Sequence, residues 1–172
     1  MASKIYTNIE TVFTFKDTGA SGLGINTNGI TLFKGSFSDQ YDRGAGAHAA
    51  LYRWVGQCEM NSAGVVGETV DLYVSPADDT TPNGPGYNSV ITSTTKGSAS
   101  SITGTTQLAN LLYMGSIVVD TTDNSKLHTA QGIIFIPSRY MQLVVWNNTT
   151  KTLKTTNDIN FVSFYPIPFE SQ

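Results

Sequence analysis

The sequence predicts an all-β fold, an antiparallel β-sandwich of about eight strands, with the jelly roll as the favoured arrangement and an up-and-down barrel as the alternative. Short runs of β-branched and aromatic residues recur between clusters of Gly, Asn, Asp, Ser and Pro, as in strands joined by tight turns. Helical spacing occurs only over residues 105–113, enough for one or two turns. At 172 residues, the chain fits a single domain over residues 1–172 with a core between two sheets.

The first four predicted strands show alternation of apolar and polar side chains, as half-buried antiparallel strands do. In the fourth, Val70, Leu72 and Val74 alternate with Asp71 and Tyr73. A stretch punctuated by four glycines joins the first strand to the second. These strands are residues 9–16, 30–37, 51–60 and 69–75.

The last three of the remaining four strands are more continuously apolar, so we expect them at the centres of their sheets. An Asp-rich turn at residues 120–124 and an Asn-rich turn at residues 147–151 separate the strands. The two overlapping Asn-x-Thr sequons at Asn147 and Asn148 are interpreted as part of the second turn. The strands are residues 111–119, 132–137, 141–147 and 161–166.

A long segment, residues 76–106, interrupts the succession of strands and turns. It contains prolines, glycines and a Ser/Thr tract, and only Val90-Ile91 is a possible strand. Loops of this length are commonly functional or disordered. Ordering such a loop costs about 1–2 kcal/mol per residue in backbone entropy, which contacts with neighbouring subunits would offset. We therefore expect the loop, and extended terminal arms that include residues 165–172, to reach partners.

The composition favours contact with other proteins. Charged residues make up 13% of the chain, about half the usual share of about 25%, and Lys, Glu and Asp are depleted at protein interfaces. The net charge of -3 gives no attraction for phosphate backbones, so we expect no nucleic-acid partner. No apolar run approaches the roughly 18 residues of a membrane helix, and the first residues lack a signal sequence. We expect synthesis in the cytoplasm and no membrane partner.

No motif in the sequence predicts catalysis, and we expect a protein that is not an enzyme and has no catalytic residue or cofactor. The two histidines, His48 and His128, accompany no G-x-S-x-G elbow, and Asp120 near His128 is attributed to turn composition. Cys58 is interpreted as a small buried apolar side chain. The sequence places no two glutamates together as a glycosidase needs. The glutamates considered are Glu10, Glu59, Glu68 and Glu170.

Two weaker binding hypotheses rest on oxygen ligands and aromatic rings. Asp78-Asp79 and residues 120–124 offer oxygen ligands for calcium, but Asp is common in such turns, so we expect no metal. Aromatic rings also suggest a surface that stacks on sugars, although a role in the core or at interfaces is preferred. The candidates are the segment Tyr41-Asp42-Arg43-Gly44 and the rings of Tyr52, Trp54 and Tyr87.

Residues 136–150 (IPSRYMQLVVWNNTT) place a Pro-x-Arg-Tyr step before an apolar strand and an Asn-rich turn. This run resembles a recurring pattern in small β-sandwich virion proteins of tailed bacteriophages. With its Thr-rich, charge-poor remainder, the chain resembles their jelly-roll capsid decoration, or cement, proteins. The step itself predicts that Arg139 pairs with a carboxylate and that Tyr140 is a packed anchor.

The resemblance implies a structural virion protein on the outer capsid surface, present in many copies as a homotrimer. Its partners would be the major capsid protein and sister subunits, and it would clamp the shell against internal DNA pressure. The alternatives are a carbohydrate-binding β-sandwich module of a phage head or tail fibre, and a minor tail or head-to-tail component. Exposed coplanar aromatic rings would favour sugar binding, whereas buried rings would favour the decoration protein.

Overall fold

The computed structural model describes residues 5–6, 10–16, 23–27, 29–45, 49–77, 91, 95–155, 159–168 and 170–171. Within these residues the chain forms eight long strands, three strands of two residues and one turn of 3-10 helix, Thr105–Leu108. The strands are β1 (Ile5–Tyr6), β2 (Phe13–Lys16), β3 (Lys34–Phe37), β4 (Tyr41–Asp42), β5 (Leu51–Cys58), β6 (Thr69–Ala77), β7 (Leu112–Val118), β8 (His128–Phe135), β9 (Tyr140–Asn148), β10 (Phe161–Ile167) and β11 (Glu170–Ser171).

The eight long strands form two antiparallel sheets. The first sheet has the order β2-β10-β5-β8 and the second has the order β3-β9-β6-β7, with β4 also paired to β9. Between consecutive long strands, only the β6–β7 connection stays within one sheet, and the others cross to the opposite sheet. This is the connectivity of a jelly roll. The predicted β-sandwich is confirmed, and the up-and-down barrel is wrong because consecutive strands are mostly not neighbours.

All eight predicted strands are present, but one of the three expected at sheet centres is not central. β9 and β10 lie inside their sheets, whereas β8 is an edge strand. Its long apolar run arises because Ile134 faces the core while Ile133 and Phe135 point outward, with 64% and 57% of their surface exposed. The expected helix is a single 3-10 turn, since β7 already begins at Leu112.

Aromatic side chains fill the core between the sheets. The rings of Phe13 and Phe164 are stacked with centroids 5.0 Å apart, and Phe15 meets Phe164 edge-on. The Trp54 indole lies against Gly115 and Gly132, where an added Cβ would come within 2.8 Å of the ring. Gly115 has a φ of 150° beside a β-bulge between β6 and β7. Glycine therefore makes room for the indole from both sheets.

A second, smaller core lies on the outer face of the second sheet. Ile91, Ile102 and Leu108 pack there on Val144 and Trp146 of β9. Because both of its faces are covered, β9 is buried along almost its whole length. Ile91 and Ile102 belong to the loop predicted at residues 76–106, and Leu108 ends the 3-10 turn at its far end.

Only part of the predicted loop, residues 76–106, lies within the described residues. Residues 76 and 77 belong to β6, and residues 78–90 and 92–94 lie outside the described residues. Ile91 is buried without being in a strand, and Val90 is not described. Partner contacts by this loop and by the terminal arms stay a prediction. Among the described residues, no helix is long and apolar enough to cross a membrane.

Candidate functional site

Four connections meet at one end of the sandwich, which we call the turn end: residues 29–33, 61–68, 119–127 and 148–153. Hydrogen bonds join them in pairs. Phe33 N–H donates to the Asn147 carbonyl at 2.9 Å, and Gly67 N–H donates to the Val119 carbonyl at 2.9 Å. Thr150 N–H donates to the Glu68 carboxylate at 3.0 Å. The connections therefore form one continuous surface.

The turn end exposes several large apolar side chains. Half of the Phe33 surface and 59% of the Val66 surface are exposed. Phe33 also has a φ of 53°, in the left-handed region that bulky residues rarely occupy. A strained backbone that presents an apolar ring to solvent is typical of functional positions rather than of folding determinants. The other exposed apolar residues at this end are Leu32, Val65 and Leu127.

The Asn-rich turn after β9 fixes the turn end. The buried Asn147 amide donates to the Ile30 carbonyl at 3.0 Å and to the Lys151 carbonyl at 2.7 Å. Its side-chain oxygen accepts hydrogen bonds from the backbone and the hydroxyl of Thr149. Asn148 points to solvent. The turn predicted at residues 147–151 is confirmed only for residues 149–151, because Asn147 and Asn148 still belong to β9; the Asn147 side chain joins the turn to the connection before β3.

A second apolar surface lies on the outer face of the first sheet. The strand register places Ile167, Leu51 and Phe135 in one row across β10, β5 and β8. The next row contains Tyr165, Arg53 and Ile133, and Val12 is exposed just before β2. We call this surface the apolar face; it consists of Val12, Leu51, Arg53, Ile133, Phe135, Tyr165 and Ile167.

Arg53 is the charged member of the apolar face. Its guanidinium donates to Gln131 Oε1 at 2.6 Å and lies 5.9 Å from the centroid of the Tyr165 ring. Within the described part of the chain, no carboxylate pairs with it. An arginine close to an aromatic ring and surrounded by apolar side chains is a common composition for the centre of a protein interface.

A buried arginine ties together the end of the sandwich opposite the turn end. Arg43 donates to Tyr52 Oη at 2.9 Å and lies 3.3 Å from Glu10 Oε1. It also donates to the backbone carbonyls of Ile136, Ser138 and Ala49. Burial, followed by the hydrogen bond to Glu10, raises the pKa of Tyr52. Sequence reasoning placed Arg43 and Tyr52 only in a possible sugar-binding surface and did not predict this buried cluster.

The Pro-x-Arg-Tyr step behaves as predicted. Arg139 makes a bidentate pair with Asp42, at 2.7 and 2.8 Å, and lies over the ring of Tyr140. Tyr140 is buried. Because Asp42 belongs to β4, the pair links β4 to the residue that precedes β9. Tyr140 is thus a buried anchor, whereas the Arg139–Asp42 pair lies at the surface.

Asp120 and His128 are paired, although their proximity in sequence was attributed to turn composition. His128 Nδ1 is 2.7 Å from Asp120 Oδ1, and Cys58 lies directly opposite His128 on β5. Burial raises the pKa of Cys58 to about 12, so its thiol is protonated at neutral pH and is not an activated nucleophile. His128 Nε2 has no hydrogen-bond partner among the described residues. His48 lies outside them.

The glutamates and aspartates have separate local partners. Glu59 pairs with Lys154, Glu10 with Arg43, and Glu68 with the turn at Thr150; the Glu170 side chain is not described. Within the part of the chain that the structure describes, no three metal-ligating side chains cluster. Asp123 accepts hydrogen bonds from Ser125, which lower its pKa, and Asp78-Asp79 lies outside the described residues.

The rings proposed for sugar stacking do not form an exposed surface. Tyr52 and Trp54 are buried in the core. Tyr41 is partly buried with its ring 4.1 Å from that of Phe13. Tyr87 is outside the described residues. The hypothesis of a sugar-binding surface built from these rings is therefore wrong for the three that are described.

No protein-family model matches this chain, and no curated protein sequence matches it. The two apolar surfaces are thus the candidate functional sites that the structure itself provides. Sequence reasoning missed both, because each combines exposed apolar residues from several separate elements.

Proposed function

We propose that this chain is a structural virion protein, a capsid decoration protein that binds the outer shell of a tailed phage and stabilises it through protein contacts. It acts as a homotrimer on the outer capsid surface after synthesis in the host cytoplasm. Its partners are the major capsid protein and sister subunits, and the role requires no catalysis.

The observation that carries this proposal is the exposure of apolar side chains at the turn end of a charge-poor jelly roll. Monomeric proteins rarely expose contiguous apolar patches unless these bind a partner. Phe33 projects from a connection that is hydrogen-bonded to the Asn147 side chain through Ile30, and Val66 from one that is bonded to Val119 through Gly67, so little ordering entropy is lost on docking. We assign the turn end to the shell.

Burial of Tyr52 and Trp54 favours this function over the sugar-binding alternative. Rings that fill the core are unable to stack on a pyranose, whereas the exposed apolar residues at the turn end are mostly aliphatic. A minor tail or head-to-tail component would use the same kind of surface. The number of copies per particle separates that role from shell decoration.

The first test is quantitative mass spectrometry of purified particles from the source, relative to the major shell protein. Hundreds of copies are expected. About a dozen copies would place the protein in the tail or portal, and its absence would overturn a virion role.

A second test addresses the surface by measuring binding to particles that lack this protein. Phe33→Asn should weaken binding at least tenfold while leaving the fold intact, because Asn tolerates the left-handed backbone that strains Phe. Tyr113→Asn is the matched control, since Tyr113 is 58% exposed and lies on β7 away from the turn end. Equal binding by both variants would show that the turn end does not contact the shell.

A further inference from the structure

A β-bulge near the start of β7 brings two side chains to one face of the second sheet. Opposite the consecutive residues Leu72 and Tyr73 of β6, β7 carries an extra residue, Met114, which is buried in the core. Strict alternation would place Tyr113 and Ser116 on opposite faces of the sheet. Instead, the Tyr113 hydroxyl lies 2.6 Å from Ser116 Oγ. Bulges commonly re-aim a side chain beside a functional site, and this one turns Tyr113 to the outer face.

The Tyr113 ring is exposed, yet it is held in position. Solvent reaches 58% of its surface, while the hydroxyl is fixed by Ser116. Its ring also meets that of Tyr73, with centroids 5.4 Å apart and 59° between the two planes. Tyr73 in turn packs against the outer core on β9. Because the ring is already ordered, a ligand that stacks on it loses little conformational entropy of the protein.

A carboxylate with spare acceptor capacity lies beside the ring. The Ser116 hydroxyl donates to Asp71 Oδ1 at 2.5 Å, so the carboxylate is within about 5 Å of the Tyr113 hydroxyl. Among the described residues, only Ser116 bonds to this carboxylate, and no cation pairs with it. A carboxylate accepts about four hydrogen bonds. Asp71 is therefore able to accept donors from a ligand.

The charge of this face favours a neutral ligand. Asp71 is the only charged residue of the three neighbouring strands β6, β7 and β9. An anionic ligand would meet this carboxylate without a compensating cation from these strands. Recognition of an ammonium ion commonly uses several rings around the cation, whereas here the single ring of Tyr113 lies open to solvent.

Hydroxyl donors and an apolar face are found together in sugars. Uncharged hydroxyl groups form strong, charge-assisted hydrogen bonds with a carboxylate. The C–H face of a pyranose is apolar and flat enough to stack on an aromatic ring. A sugar that stacks on Tyr113 would thus bring its rim of hydroxyl groups beside Asp71.

We propose that Asp71, Tyr113 and Ser116, with Tyr73 as support, form a binding site for a neutral pyranose sugar. Tyr113 stacks on the C–H face, Asp71 accepts hydrogen bonds from the hydroxyl groups, and Ser116 holds both in place. This site goes beyond the proposed function and does not depend on it, since it uses no residue of the turn end. None of its rings is among those that the sequence suggested for sugar stacking, because the bulge that turns Tyr113 outward leaves no signal in the sequence.

NMR titration of the ¹⁵N-labelled full chain tests this site. The probes are the methyl glycosides of glucose, galactose, mannose and N-acetylglucosamine, each added to about 50 mM because ligands of this size bind weakly. At least one should shift the amide resonances of residues 71, 113 and 116. Tyr113→Ala should then increase its dissociation constant at least tenfold. Tyr165→Ala is the matched control and should leave it unchanged, because Tyr165 is also exposed but lies on the first sheet.

A second variant keeps the test independent of folding. Circular dichroism shows whether Tyr113→Ala is folded, and Asp71→Asn, which should also weaken binding, replaces it if it is not. The proposal is overturned if no glycoside shifts these resonances, if Tyr113→Ala and Tyr165→Ala have equal effects, or if choline chloride shifts them and no glycoside does. Loss of shell binding by Tyr113→Asn, without any response to the glycosides, would assign this face to a protein partner and would overturn it as well.

Discussion

Replacement of Arg43 by methionine should destabilise the fold severely. The Arg43 and Glu10 side chains are only 1% and 8% exposed, and the substitution removes the guanidinium that lies 3.3 Å from this buried carboxylate. It also removes the donor for three backbone carbonyls. Breaking a buried pair from one side costs about 3–5 kcal/mol, which is a large part of the roughly 5–15 kcal/mol that stabilises a typical domain.

We expect the free energy of unfolding to fall by about 4 kcal/mol, and the melting temperature to fall by roughly 10 °C for a chain of this length. Urea denaturation at pH 7, followed by tryptophan fluorescence and circular dichroism, measures the change. The double variant Arg43→Met/Glu10→Gln should recover part of the loss, because the remaining neutral amide is less costly to bury than a carboxylate.

Arg139→Met is the matched control, since Arg139 makes a bidentate pair with Asp42 on the surface. Exposed pairs contribute little because water and salt screen them, so this variant should unfold at nearly the wild-type urea concentration. The reasoning is refuted if Arg43→Met is no more destabilising than Arg139→Met, or if the added Glu10→Gln increases the loss.

Three further outcomes are expected. Asn147→Ala should lower the free energy of unfolding by about 2–3 kcal/mol, because buried carbonyls lose their donor, whereas Asn148→Ala should have little effect; urea midpoints compare the two. Gly132→Ala should cost about 1–3 kcal/mol and shift Trp54 fluorescence, since the added methyl lies 2.8 Å from Nε1. Burial raises the pKa of Cys58 from 9.0 to about 12. The buried neutral thiol therefore contributes fully to the free energy of unfolding below pH 9, and this contribution is lost as the pH rises toward 12. Stability of the wild type should therefore fall more steeply over that range than stability of Cys58→Ala.

The strands could be predicted because their signal is local. Alternation in residues such as Val70, Leu72 and Val74 fixes which side chains face the core, and the turn residues mark where each strand ends. The position of β8 could not be predicted in this way. A strand buried on both faces and an edge strand that exposes Ile133 and Phe135 can have the same apolar run. Only the order of strands in the sheet distinguishes the two cases.

The buried polar clusters were beyond sequence reasoning for a different reason. Arg43 bonds to Ile136 and Ser138, which are distant in the chain, so no short motif contains the cluster. The Arg139–Asp42 pair was half predicted, since the Pro-x-Arg-Tyr step indicated a carboxylate but not which one. Asp120 and His128 are close in sequence, but their pairing was not predicted because Asp is common in turns.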